Sequence, residues 1–153
     1  KFEINNDIDL ELDKIIRASE NLAATKTGAL IILTNKSELR QFVETGELLN
    51  ANISESLIES IFQKNGPLHD GAMIINNNRI RAARCILPVS ESKNIPASLG
   101  LRHRAAVGLT EQSDAAAIIV SEETGAISYS SNGELIRKFN PGELKIKIKE
   151  DLS

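Results

Sequence analysis

The stretch Gly66-Pro67-Leu68-His69-Asp70-Gly71-Ala72-Met73-Ile74-Ile75 carries three signals in immediate succession. Gly66-Pro67 stops a helix. Ala72–Ile75 is an apolar run of strand length. Between them, His69-Asp70-Gly71 fixes an imidazole and a carboxylate at the mouth of a rigid element, where catalysis or metal binding uses such groups. A helix, a polar turn and a buried strand in this order predict an α/β fold. Taken alone, Asp70-Gly71 is also an ordinary turn before a strand.

The flanking sequence extends the alternation. Upstream, Ser54 is an N-cap candidate, and Ile53 can pack on Ile58 as a hydrophobic staple. Leu57, Ile58, Ile61 and Phe62 give that helix an inner face. Leu12, Ile15, Ile16, Ser19, Leu22 and Ala23 follow helical spacing and predict a helix over Asp9–Ala24. Gly28–Leu33 is a continuous apolar run, the pattern of a strand buried on both faces. Ser37 can cap a short helix through Val43 that Gly46 ends.

Downstream, Asn76-Asn77-Asn78 tolerates the left-handed backbone of a tight hairpin and leads to a return strand over Arg79–Leu87. Ser90–Leu99 reads as a surface loop, Leu101–Leu109 as a helix and Ala115–Val120 as a further buried strand. Thr124-Gly125 and Asn132-Gly133 turn the chain on either side of a strand over Ala126–Ser130. The C-terminal segment reads two ways. Asn140-Pro141-Gly142-Glu143 resembles a helix start, yet Leu144, Ile146 and Ile148 alternate with lysines as in a strand. The whole predicts one α/β globular domain over residues 1–153, with a mixed central β-sheet flanked by helices.

Composition narrows the function. The chain has 153 residues, 41% hydrophobic and 25% charged, enough for one domain with a core. A net charge of −3 argues against a broad nucleic-acid surface, so any phosphate recognition is local. Aromatics are scarce and Trp is absent, which also argues against a stacking platform for bases. Cys85 stands alone in a small, apolar run, so it forms no internal disulfide and reads as a buried strand residue in a reducing compartment. With only His69 and His103, a zinc site of several His and Cys ligands is hard to build. No apolar run approaches the ~20 residues that span a bilayer.

Three clusters can carry chemistry. His69 and Asp70 are neighbours able to share a divalent ion whose other ligands are phosphate oxygens and water. Gly71 and Ala72 are small enough for a ligand to approach the backbone. Gly100-Leu101-Arg102-His103-Arg104 places cationic groups ahead of a helix, which suits phosphate, although Arg102 and Arg104 project in different directions. Ser121-Glu122-Glu123-Thr124-Gly125 ends a buried strand, and ligands of open α/β sheets gather at carboxyl ends of strands. Each cluster alone has an ordinary explanation as a turn or a solvated surface. There is no Walker loop and no G-x-G-x-x-G.

Asp70-Gly71-Ala72 and Arg102-His103-Arg104 resemble the DGA and RHR signatures of the diadenylate cyclase (DAC) catalytic domain. Gly28–Ile32, Leu68–Ala72, Leu109–Glu111 and Ile119–Gly125 resemble it in the same order, so the likeness runs from about Asp9 to Phe139. The subtype it is most similar to is the membrane-anchored bacterial cyclase, whose catalytic domain follows N-terminal transmembrane helices. With Lys1 rather than Met at the start, the resemblance implies a soluble fragment of a longer protein held at the cytoplasmic face of the bacterial membrane. It implies a reaction, two ATP to cyclic di-AMP and two pyrophosphates, between two face-to-face subunits that form at least a transient homodimer. It leaves room for a regulatory protein partner, and nucleic acid is not expected to bind.

The resemblance also implies roles. Asp70 assists deprotonation of the ribose 3′-hydroxyl. His69 and Asp70, with Glu123 from the facing subunit, hold Mn²⁺ or Mg²⁺. Arg102, His103 and Arg104 bind and neutralise phosphates, with Arg102 and Arg104 catalytic. Leu49, Ile86 and Leu87 wall the adenine, with Gly71, Ala72, Leu101, Ser121 and Glu122 also at the nucleotide. Leu101 stands where many members have Thr, and Ile86 where an aromatic is frequent. Leu101 supports the alternative of a degenerate nucleotide sensor without turnover; a regulatory assembly domain is a further alternative.

Overall fold

The structure is a computed structural model that describes residues 2–137 and 139–152, with side chains from Glu11 onward. In chain order the elements are α1 (Phe2–Ala24), β1 (Ala29–Leu33), α2 (Arg40–Val43), β2 (Glu47–Asn52), α3 (Glu55–Ile61) and β3 (Ala72–Asn76). Then follow β4 (Arg79–Cys85), α4 (Leu101–Glu111), β5 (Ala116–Val120), β6 (Ile127–Ser131), β7 (Glu134–Arg137) and α5 (Pro141–Asp151). The strands form one seven-stranded sheet in the order β2-β4-β3-β1-β5-β6-β7. Only β1 and β3 run parallel, through Ile31↔Met73 and Ile32↔Ile74; the other neighbouring pairs are antiparallel. The sheet is therefore mixed, as expected.

Strand alternation explains the layers. On β1, β3 and β5, residues Ile31, Met73 and Ile118 point to one face, where α1, α3 and α5 cover them. Leu30, Ile32, Ile74 and Ile119 point to the other, under α2 and α4. Both faces are closed, which is why the central strands are continuously apolar.

Local chemistry sets the helices. Ser54 accepts the Leu57 N–H at 3.0 Å, and Ile53 and Ile58 are buried together, so α3 starts on its cap and staple. The short helix near Ser37 differs from expectation. Ser37 Oγ accepts only the Leu39 N–H, and α2 begins at Arg40 behind a left-handed Leu39 with φ 57°. Burial of the Leu39 side chain under the sheet fixes that start.

The C-terminal ambiguity resolves as a helix. Asn140 accepts from Glu143 N at 2.9 Å, and Asn140 N donates to Glu143 Oε1 at 3.3 Å, a full capping box. Leu144 and Ile148, four apart, are buried, whereas Ile146 is 62% exposed, so the strand-like alternation has no inner face to serve. The hairpin turn is left-handed at Asn77 and Asn78, with φ 51° and 58°. In the Ser90–Leu99 loop, Ser90 and Ile95 are buried rather than at the surface. The sequence reading has no counterpart of β2, a mostly exposed edge strand whose pairing to β4 shifts register between Leu48 and Ala51.

Candidate functional site

Register decides which loops meet. Ala29 pairs with Val120, Ala72 with Cys85 and Ser128 with Arg137. The amino ends of β1, β3 and β6 therefore share one rim of the sheet with the carboxyl ends of β4, β5 and β7. A cleft of about 690 Å³ opens there, on the face covered by α4. That volume suits a small-molecule ligand. The expectation of a site at carboxyl ends holds for Ser121–Glu123 but not for His69–Asp70, which enter at an amino end.

The lead-in to β3 supplies His69, Asp70, Gly71 and Ala72 to the cleft. His69 Nδ1 lies 2.6 Å from the Gly66 carbonyl oxygen. A carbonyl only accepts, so Nδ1 carries a proton, and in the neutral ring the free lone pair is on Nε2. Asp70 next to it is exposed. Gly71 has φ +87°, and a Cβ there would stand 2.7 Å from the Cys85 carbonyl oxygen. Its smallness serves the close passage over the end of β4 as well as any ligand. Ala72 is wholly buried and leaves no room for a longer side chain.

Helix α4 points its N-terminus at the cleft, contributing Leu101, Arg102 and His103. Gly100 caps it without a side-chain bond, so the first-turn N–H groups and the positive end of the dipole stay available. The Arg102 guanidinium lies over Gly28: a Cβ on Gly28 would be 2.5 Å from Nη1 and 2.6 Å from Cζ. Arg102 Nη1 is 3.6 Å from Glu122 Oε2, while its Nε is buried without a hydrogen-bond partner. Glu122 is 66% exposed, so it is a weak partner that an incoming phosphate can displace.

His103 departs from the reading of a cationic triplet. Burial, then the charges of Arg137 and Arg102, lower its pKa below the ordinary 6.5. At neutral pH it offers a hydrogen bond rather than a charge. Arg104 does not line the cleft. Two residues along a helix rotate it roughly 200° from Arg102, and its carbonyl accepts the Ser90 N–H at 2.9 Å.

Apolar walls come from the end of β4. Leu87 is buried, while Ile86 is 70% and Leu101 72% exposed on the rim. Leu49 does not join them. It sits in β2, half-buried, and packs toward the α1, α3 and α5 cluster on the other face. Ser121, Glu122 and Glu123 line the cleft from the end of β5. Cys85 also lines it but is buried, and burial pushes its thiol up to about 11, so it is not a nucleophile. The sequence reading passed over Gly28, Ser128 and Arg137. Arg137 closes a four-residue edge strand whose place is set by pairing with β6, which leaves no local signal.

The donor set fits a hard divalent ion in part. His69 and Asp70 are consecutive in the chain and both line the cleft. Among the described residues no three His, Cys, Asp or Glu side chains converge. One chain thus offers two ligands, and phosphate oxygens, water or a second copy must complete the shell.

Residues 16–135 match the family described as DAC, DisA bacterial checkpoint controller nucleotide-binding. The chain belongs to the DAC family. It is 46% identical over 134 residues to cyclic di-AMP synthase CdaA of Bacillus subtilis, covering 88% of this chain and 49% of that protein. It is 44% identical over 140 residues to diadenylate cyclase of Listeria monocytogenes, covering 91% and 51%. The crystal structure of a DacA double mutant from Staphylococcus aureus superposes with a TM-score of 0.93 at 41% identity, covering 96% of this chain and 98% of that one. A Bacillus cereus structure described as a hypothetical membrane spanning protein gives 0.80 at 44% identity, covering 84% and 63%. This DAC chain spans about half the length of CdaA and of the Listeria cyclase. Among its described residues no helix is long and apolar enough to cross a membrane.

Proposed function

We propose that this DAC domain condenses two ATP into cyclic di-AMP and two pyrophosphates, in a pair of copies whose clefts face each other. The observation that carries this is one cleft lined both by His69 and Asp70 and by Arg102 at a helix N-terminus. Its relatives are named as cyclases of this kind. One chain offers one such phosphate cradle and one such carboxylate, so joining two nucleotides calls for two chains.

In each half-reaction Asp70 takes the proton of a ribose 3′-hydroxyl. The freed oxygen attacks the α-phosphorus of the nucleotide in the facing copy. The bond to the bridging oxygen of the β-phosphate breaks, and pyrophosphate leaves with that electron pair. A second pass in the reverse sense closes the ring. Arg102 and the α4 N–H groups stabilise the charge that develops at the α-phosphate. Neutral His103 donates a hydrogen bond without repelling either arginine. Ile86, Leu87 and Leu101 form an apolar slot for the base. His69 and Asp70, with Glu123 of the facing copy, would hold Mn²⁺ or Mg²⁺, which neutralises phosphate charge and acidifies the 3′-hydroxyl. Tethering to the cytoplasmic face of a membrane, through segments outside this chain, belongs to the same proposal.

The test is nucleotide product analysis with a panel of divalent metals, run beside Asp70→Asn. The expected result is cyclic di-AMP from the wild-type chain and a loss of about 10²-fold or more in the variant, with ATP binding retained. Wild-type protein that binds ATP but yields no product with any metal would identify a sensor rather than an enzyme.

A further inference from the structure

We propose that Arg137, at the carboxyl end of β7, selects a nucleoside triphosphate over a diphosphate by engaging the terminal phosphate. This rests on the nucleotide-cleft reading above and adds a residue that neither signature motif contains.

The placement follows from register. Leu30 pairs with Ile119, Ile119 with Ser128, and Ser128 with Arg137. Directly opposed residues point to the same face of a sheet. Leu30 and Ile119 belong to the α4 face. Ser128 and Arg137 therefore project to that face too, and both line the cleft.

The charges then distinguish the two arginines. Arg102, above Gly28 at the start of β1, has Glu122 within 3.6 Å. Arg137 is exposed and makes no ion pair with any described carboxylate. Both cations bear on the buried His103, which lines the same cleft, Arg137 more strongly. Strands β1 and β7 are three steps apart in the sheet, about 14 Å at the usual strand spacing. Each long side chain reaches part of that way. A short anion held by Arg102 leaves Arg137 facing water. An extended polyphosphate lying along the first turn of α4 meets both, and relieves the repulsion of two like charges in one concave site. Binding energy spent on the terminal phosphates falls on the leaving group, so it favours the substrate that can release pyrophosphate.

The experiment measures ATP and ADP affinity by calorimetry on the Asp70→Asn background, which prevents turnover, with Arg137, Arg137→Gln and Arg137→Lys. The proposal expects Arg137→Gln to weaken ATP by about ten- to a hundredfold. ADP should change less than about threefold, and Arg137→Lys should recover part of the ATP affinity. NMR titration of His103 provides a second readout: its midpoint should rise when the Arg137 charge is removed. Equal losses for ATP and ADP, or no loss for either, overturn the role of Arg137 while product formation by the wild-type chain still stands. A parent that binds no ATP and a wild-type chain that makes no product overturn both readings together.

Discussion

Gly28→Ala isolates the positioning of Arg102 from everything else in the cleft. The new methyl carbon would stand 2.5 Å from Nη1, 2.6 Å from Cζ and 3.1 Å from Nε of Arg102. Ordinary carbon contacts begin near 3.5 Å, so the guanidinium must move by about 1 Å. That shift breaks its 3.6 Å approach to Glu122 and re-aims the group that the proposed mechanism sets against the α-phosphate. A displacement of this size costs on the order of 10²-fold in rate when it misplaces a catalytic group. Folding should hardly notice. Gly28 lies outside the left-handed region, and the atoms in the way are the far end of a flexible side chain. Restricting the unfolded chain contributes about 0.4–1 kcal/mol in favour of the variant.

The assay is the initial rate of cyclic di-AMP formation, with thermal unfolding measured on the same samples. The rate should fall about 10²-fold while Tm stays level or rises. A double-mutant cycle sharpens the claim: on an Arg102→Ala background, Gly28→Ala should cost almost nothing further. A Gly28→Ala chain with wild-type rate, or a full loss repeated on the Arg102→Ala background, would refute the idea that Gly28 acts as the shelf for Arg102.

The remaining expectations concern the frame around the cleft. Gly71→Ala places a Cβ 2.7 Å from a backbone oxygen at φ +87°, where nothing flexible can yield; it should lower unfolding stability by about 1–3 kcal/mol in urea titration. Tyr129→Phe removes the hydroxyl that donates to Asp151 Oδ2 at 2.7 Å from a fully buried ring, and should cost about 1.5–3 kcal/mol. Burial acts to raise the Asp151 pKa, but hydrogen bonds from Tyr129 and Ser131 and the Lys147 charge bring it below 3.8. The stability tied to that carboxylate is present above pH 3.8 and is lost as pH falls through the lower folded value, so the gap between wild type and Tyr129→Phe should narrow in acid. Cys85, pushed up to about 11 by burial, should resist iodoacetamide at pH ~8 in the folded chain and react once unfolded; stoichiometric labelling of the native protein by mass spectrometry would contradict its burial.

What the sequence disclosed depended on whether the deciding interaction is local. Ser54 with Leu57, and Asn140 with Glu143, are contacts within one turn, so their motifs are readable. Even so, the α5 segment stayed open, because Leu144 and Ile148 satisfy both a period of two and a period near 3.6. The exposure of Ile146 separates the two, and exposure is a tertiary property. Strand β2 escapes the sequence pattern for a related reason: as an edge strand it half-buries only Leu49 and Ala51, too short an alternation to stand out.

The cleft divides the same way. His69, Asp70, Arg102, Ser121 and Glu122 sit in contiguous stretches at the ends of elements, and motif reading placed them in the cleft where the structure has them. Arg104 shares Arg102's motif but not its direction, since a helix turns two neighbours-but-one to opposite sides. Leu49 is implied by likeness alone and lies on the far face. Gly28 reads only as the start of an apolar run, and Arg137 carries no local mark. One matters through an absent side chain under a guanidinium 74 positions away, the other through a row of cross-strand partners. A motif records residues that are neighbours along the chain. The sheet register adds those that are neighbours only across it, and in the proposed mechanism these are the residues that aim the phosphate-binding charge and extend it.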